Sequence, residues 1–127
     1  MHMATLAQLN SDGCNPWANR QGDGTPGPNT DFIISWDQTG NSVTPSSIGV
    51  RYFNAATNSF TAPVTVLPAN AQAAYRSDLL AGELAINLSA IEGEPTACLT
   101  FANIIPFSIT GNSDSADYKD VVLSAWN

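Results

Sequence analysis

The sequence predicts a mainly β chain: an antiparallel sandwich of about seven or eight short strands, with one short helix near residues 71–80. Two observations predict it. Short apolar runs recur along the chain, each closed by turn formers, and the run Leu84-Ala85-Ile86-Asn87-Leu88-Ser89 sets Leu84, Ile86 and Leu88 on one face. The second is composition. A chain of 127 residues, 43% hydrophobic and 12% charged, has the balance of one globular domain, which at this length buries roughly two-thirds of its unfolded surface.

Taken in order, residues 10–31 run from Asn10-Ser11-Asp12-Gly13 to Gly24-Thr25-Pro26-Gly27-Pro28. Such punctuation cannot continue a helix or a central strand, and with Cys14 and Trp17 inside it the segment reads as a pinned loop. Strands follow at Phe32–Trp36, ended by Thr39-Gly40-Asn41, and at Ile48–Phe53, followed by a hairpin-like break over Asn54–Asn58 and then Phe60. Val64–Leu67 stops at Pro68. Asn70 is placed to cap a helix through Ala71-Gln72-Ala73-Ala74-Tyr75-Arg76 to Leu80, with Gly82 to end it and Tyr75 and Leu79 on its buried face. Leu84–Ser89, Cys98–Phe101, Ile104–Ile109 and Val121–Trp126 complete the strands. Met1-His2-Met3 lacks the character of a secretory signal and reads as a vector-derived scar, leaving 4–127 as a single domain.

Charge narrows the partners. With 11 acidic against 4 basic side chains the formal charge is −7, and Arg20, Arg51, Arg76 and Lys119 are scattered. Nucleic acid needs clustered Lys and Arg for its phosphates, so it is excluded as a partner. No apolar run approaches the roughly 18 residues of a membrane span, which excludes insertion. Cys14 and Cys98 form no C-x-x-C pair and have no useful His nearby, which argues against zinc. Two readings of them stay open. One is a bridge in an oxidising compartment, contributing about 4–5 kcal/mol through the long loop it closes. The other is a pair of buried thiols. A single lysine and the abundance of Asn, Ser, Thr and Gly fit a secreted or surface-displayed protein.

Enzyme signatures are missing: the only imidazole is His2, and no Walker loop, dinucleotide fingerprint or H-E-x-x-H occurs, so the chain reads as a non-enzyme. Glu92 and Glu94, in Glu92-Gly93-Glu94-Pro95, read as a solvated turn, with acid/base work in a cleft as the alternative. Trp36 shares a face with Phe32 and Ile34 and reads as core, and Trp126, aligned with Val122, as core or edge cover. Trp17 stands in Asn15-Pro16-Trp17-Ala18-Asn19-Arg20. There it is either a stacking platform for a sugar, with Asn19 and Arg20 as polar partners, or a lid over the Cys14 end of the core. Asp23 and Asp31 in the same loop are alternative oxygen ligands for a cation. Asn87-Leu88-Ser89 fits the N-glycosylation sequon but falls mid-strand in the alternating run, and such a motif is common by chance.

The acidic run Ser113-Asp114-Ser115-Ala116-Asp117-Tyr118-Lys119-Asp120 precedes a final apolar strand. Asp114, Asp117 and Asp120 are the hard oxygen donors that Ca2+ takes. The alternative is a polar turn in which Lys119 neutralises the carboxylates. From about Leu99 to Trp126, and most closely over Asp117-Tyr118-Lys119-Asp120-Val121-Val122-Leu123-Ser124-Ala125-Trp126, the chain resembles the C-terminal end of bacterial calcium-dependent fucose/mannose-binding lectins. Those are β-sandwich proteins in which an acidic loop precedes a Val-rich strand. The chain departs from that pattern at Ser115, where the family has an acid, at Lys119, where it has a ligating Asn, and at Asn127, where it ends in glycine. With those departures the resemblance implies one structural calcium rather than a pair that chelates sugar.

The leading expectation is therefore a carbohydrate-binding module, with calcium ordering a loop. The rival expectation is a self-assembling structural subunit of a fibre, coat or virion, and a third is an inhibitor steered to a basic target by its acidity. An unpaired strand edge favours assembly, and clustered loops favour binding.

Overall fold

The computed structural model describes residues 20–37 and 39–93 in full, and the backbone of four strands at 103–104, 107–109, 118–121 and 124–125. The bridge expected between Cys14 and Cys98, the scar read at 1–3, and Trp17, Asn19, Asp114, Asp117 and Trp126 lie outside the described residues. The chain divides into two compact units, Met1–Thr96 and Ala97–Asn127. It is mainly β and every strand pair described is antiparallel, as the sequence predicts, and among the described residues one short helix accompanies the strands.

In the first unit, β1 (Phe32–Trp36) and β2 (Ile48–Asn54) pair over their full common length, with Phe32 opposite Tyr52, Ile34 opposite Val50 and Trp36 opposite Ile48. The other side of β2 holds two short strands, β3 (Ser59–Phe60) and β4 (Val64–Thr65). β2 is thus central, and its sequence suits that place: Ile48, Val50 and Tyr52 are all buried on one face. Val50 and Tyr52 join Ile91 in the core, with Phe32, Ile34, Val66 and Ile86 packed against them. The neighbouring Phe53 is buried too and, by alternation, lies on the other face. There Phe60 meets it edge-on at 5.3 Å, and the Arg20 guanidinium stands 4.7 Å from its ring centre. Such a cation–π contact contributes on the order of 0.5–2 kcal/mol, more as it is desolvated.

Trp36 does not join the core. The core lies beneath Phe32 and Ile34, and Trp36, paired with Ile48 at the strand end, retains 37% of its exposure. Beyond it Asp37 gathers the following loop. Its carboxylate accepts the Ser46 N–H at 2.9 Å and the Ser46 hydroxyl at 2.6 Å, bonds that hold its pKa below the usual carboxylate value.

The helix expected at 71–80 is absent, and that segment is the hairpin of β5 (Ala71–Tyr75) and β6 (Gly82–Ile86). Ala, Gln and Arg favour a helix locally, but burial alternates along β5, with Ala71 buried and Ala73 and Tyr75 half-buried between exposed Gln72 and Ala74. Pairing with β6 prevails over propensity. Gly82 ends no helix; it lies opposite Tyr75, and a Cβ there would come within 2.9 Å of the Tyr75 ring. Tyr75 thereby reaches back to donate its hydroxyl to the Asp37 carbonyl at 2.7 Å. Leu79 adopts a positive φ of 60° in the connecting turn, which the Arg76–Asp78 ion pair at 2.6 Å closes.

The strand expected over 84–89 stops at Ile86, and the chain turns into the helix α1 (Leu88–Glu92). Gly93 terminates α1 in the left-handed conformation, its N–H bonded to the Ser89 carbonyl at 3.0 Å. In the second unit β7 (Asn103–Ile104) pairs with β10 (Ser124–Ala125), and β8 (Phe107–Ile109) pairs with β9 (Tyr118–Val121). Ile109 faces Tyr118 and Ser108 faces Asp120, so Lys119 is the extra residue of a β-bulge.

The strap before β1 is laced to β2 through backbone bonds: Gly24 N–H to the Phe53 carbonyl at 2.8 Å, Phe53 N–H to the Asp31 carbonyl at 2.9 Å, and Ala55 N–H to the Gly22 carbonyl at 2.9 Å. That approach requires glycine at position 22, where φ is +144° and a Cβ would stand 2.4 Å from the Phe53 carbonyl oxygen. Gly22→Ala should lower stability by about 1–3 kcal/mol. Urea unfolding checks this, and an unchanged midpoint would show that the strap is not fixed to β2 in this way.

Candidate functional site

An open groove of about 510 Å³ runs along β2 and β4. Its buried members are Val50 and Tyr52 from β2 and Ile91 from α1, an apolar floor that follows from the alternation of β2. Thr25 of the strap, Thr61 and Asn70 add hydroxyl and amide groups. The outer lip carries two exposed apolar side chains, Val64 at 58% and Leu67 at 65%. Thr61 also braces β2, since its hydroxyl oxygen accepts the Tyr52 N–H at 3.0 Å and its carbonyl accepts Arg51 Nε at 2.8 Å.

Beneath the groove, the Tyr52 hydroxyl donates to the Ile91 carbonyl, joining β2 to the last turn of α1. The next residue, Glu92, is only 3% exposed. Its carboxyl is pushed above the ordinary glutamate value, first by burial and then by the negative charge of Asp31. The Tyr52 phenol is raised as well, by burial first and by Glu92 second. Asp31 is itself engaged, accepting the Gln21 N–H at 2.7 Å. The solvated turn read from Glu92-Gly93-Glu94-Pro95 is thus corrected at Glu92: α1 extends through this residue and carries it inward. The available sequence signal was Leu88 and Ile91 three apart with Gly93 two residues on, a one-turn helix and its stop.

Of Trp17, Asn19, Arg20, Asp114, Asp117 and Asp120, only Arg20 has its side chain described. It lies over Phe53, with the Phe60 ring centre at 5.5 Å, and is not among the groove residues. The structure therefore does not bring Arg20 to the groove. Asp120 is placed in β9, opposite Ser108. Asp23, the alternative cation ligand, accepts the Thr25 hydroxyl at 2.6 Å and the Thr25 N–H at 2.9 Å, and these bonds lower its pKa. Among the described residues no group of three His, Cys, Asp or Glu gathers around one point. No described helix is long and apolar enough to cross a membrane.

The chain matches no protein-family model, no curated protein and no solved structure. What the site can do thus rests on its own chemistry.

Glu92 yields a pH dependence with a definite sign. A carboxyl whose folded pKa exceeds its unfolded value binds more protons in the native state, so stability falls as pH rises from the unfolded value through the folded one. Glu92→Gln removes that loss. The variant should melt above the wild type near neutral pH and converge with it in acid, in thermal unfolding scanned from roughly pH 3 to 8. A melting difference that stays constant over that range would mean Glu92 is not buried as a titrating group.

Proposed function

We propose that the chain is an extracellular β module that binds carbohydrate without catalysing a reaction, with Ca2+ ordering the acidic segment of Asp114, Asp117 and Asp120. The groove supports this reading above all else. Its apolar floor and its threonine and asparagine groups match the two chemistries of a sugar ring, an apolar C–H face and hydroxyls that both donate and accept. Trp17, Asn19 and Arg20 are the second candidate contact for the same ligand class. An extracellular setting agrees with the acidic, lysine-poor composition and with a Cys14–Cys98 bridge.

The calcium component rests on donor chemistry. Three carboxylates within seven residues repel one another unless a cation intervenes, and oxygen donors of this kind suit Ca2+. A ligand held only by the native state stabilises it by mass action. Millimolar calcium should therefore raise the melting temperature, EDTA should reverse the rise, and Asp117→Asn should blunt it. No response would assign the neutralising role to Lys119.

Binding is tested by a panel of immobilised oligosaccharides followed by titration of any hit. The variant Thr25→Ala/Asn70→Ala should weaken a groove-bound glycan about tenfold or more, since each lost hydrogen bond contributes about 0.5–1.5 kcal/mol. Full affinity in that variant would move the ligand to Trp17 and its neighbours.

The second reading, self-assembly, is favoured by β4. This strand has only two residues, pairs among the described strands with β2 alone, and carries exposed Val64, with exposed Leu67 two residues beyond its end. If the glycan panel stays silent, light scattering across a concentration series decides. Association that Val64→Lys abolishes establishes the assembly reading, and a strict monomer removes it.

A further inference from the structure

The sequon Asn87-Leu88-Ser89 is the only Asn-x-Ser/Thr triplet in the chain, and its middle residue is not proline. Its sequence context places it inside a strand, where the asparagine would be tied into a ladder. The structure places it elsewhere. β6 ends at Ile86, Asn87 is the N-cap of α1, and both Asn87 and Ser89 are exposed.

The local hydrogen bonding leaves the Asn87 side chain with little structural duty. Its backbone N–H donates to the Asn70 carbonyl at 2.7 Å, and its own carbonyl accepts the Ala90 N–H at 3.1 Å. An N-cap asparagine ordinarily turns its side-chain oxygen back onto the first helical N–H groups, but Asn87 makes no such bond. Its amide nitrogen has one long contact, 3.4 Å, to the Asn70 side-chain oxygen. A substituent on that nitrogen leaves one N–H in place, so the contact with Asn70 can persist, and nothing in the cap depends on the hydrogen that is lost.

We propose that Asn87 is an acceptor for an N-linked glycan. The donor class is a lipid-diphosphate oligosaccharide, presented by an oligosaccharyltransferase that reads the Ser89 hydroxyl two residues downstream. In the transfer a bond forms between Nδ2 and the anomeric carbon, and the bond from that carbon to the diphosphate oxygen breaks. The lipid diphosphate leaves with the electron pair, and one amide proton passes to the transferase, with no change of oxidation state. Because Asn87 touches Asn70, the glycan emerges beside the groove lip that Asn70 and Leu67 share. The inference rests on the extracellular setting proposed above and is independent of what the groove binds.

The test uses the full chain behind a secretory leader in yeast, which supplies the compartment whatever the native destination. Secreted and microsomal protein are both examined, so retention inside the cell still gives a result. The wild type should run as a discrete heavier species that peptide N-glycosidase F collapses, leaving Asp at position 87 by mass spectrometry. Asn87→Gln and Ser89→Ala should lose the heavier species, and Ser89→Thr should keep it. A wild type without glycan in both fractions overturns the proposal, as does a heavier species that persists in Asn87→Gln. The oligosaccharide panel is then repeated on the enzymatically deglycosylated protein, so failure of the modification and failure of the binding reading remain separate results.

Discussion

The hydrogen bond from the Tyr52 hydroxyl to the Ile91 carbonyl joins two segments 39 residues apart and organises the first unit. It allows a phenol to be buried at the centre of β2 without an unmet donor, a cost of roughly 1–3 kcal/mol if the partner were missing. Holding α1 against β2 also brings Ile91 beside Val50 and Tyr52, and Phe32, Ile34, Val66 and Ile86 pack around them. Without that tie a helix of only five residues, whose N-cap side chain makes no bond to the helix, has little of its own to hold it.

The same placement creates an electrostatic tension. α1 ends with a glutamate carried into the interior, facing the charge of Asp31 at the end of the strap. Ile91 points into the core, and Glu92, the last residue of α1, is buried beside it while Ser89 and Ala90 face solvent. Gly93 then turns the chain out again through its left-handed conformation.

On the far face of β2, Phe53 is covered by Phe60 and by the Arg20 guanidinium, and glycine at position 22 lets the strap come close enough to bond β2. β2 is therefore enclosed on both faces at its C-terminal end, whereas the outer side of β4 meets no further described strand. That asymmetry leaves Val64 and Leu67 exposed along one lip of the groove, and Asn70, which also lines it, carries the contact to the sequon asparagine.

The all-β class, the antiparallel pairing, the strands at 32–36 and 48–53 and the break at 54–58 were determined by the sequence itself, because alternation and turn residues are local signals. Two local readings failed where a remote partner decided. Ala71–Tyr75 has helical composition but pairs with β6, and the alternating run Leu84–Ser89 breaks off after Ile86 into α1, where Tyr52 bonds the Ile91 carbonyl. The burial of Glu92, the exposure of Trp36 and the stacking of Arg20 on Phe53 followed the same rule. Each depends on which side chain stands opposite in space, a quantity that propensity and periodicity along one segment do not contain.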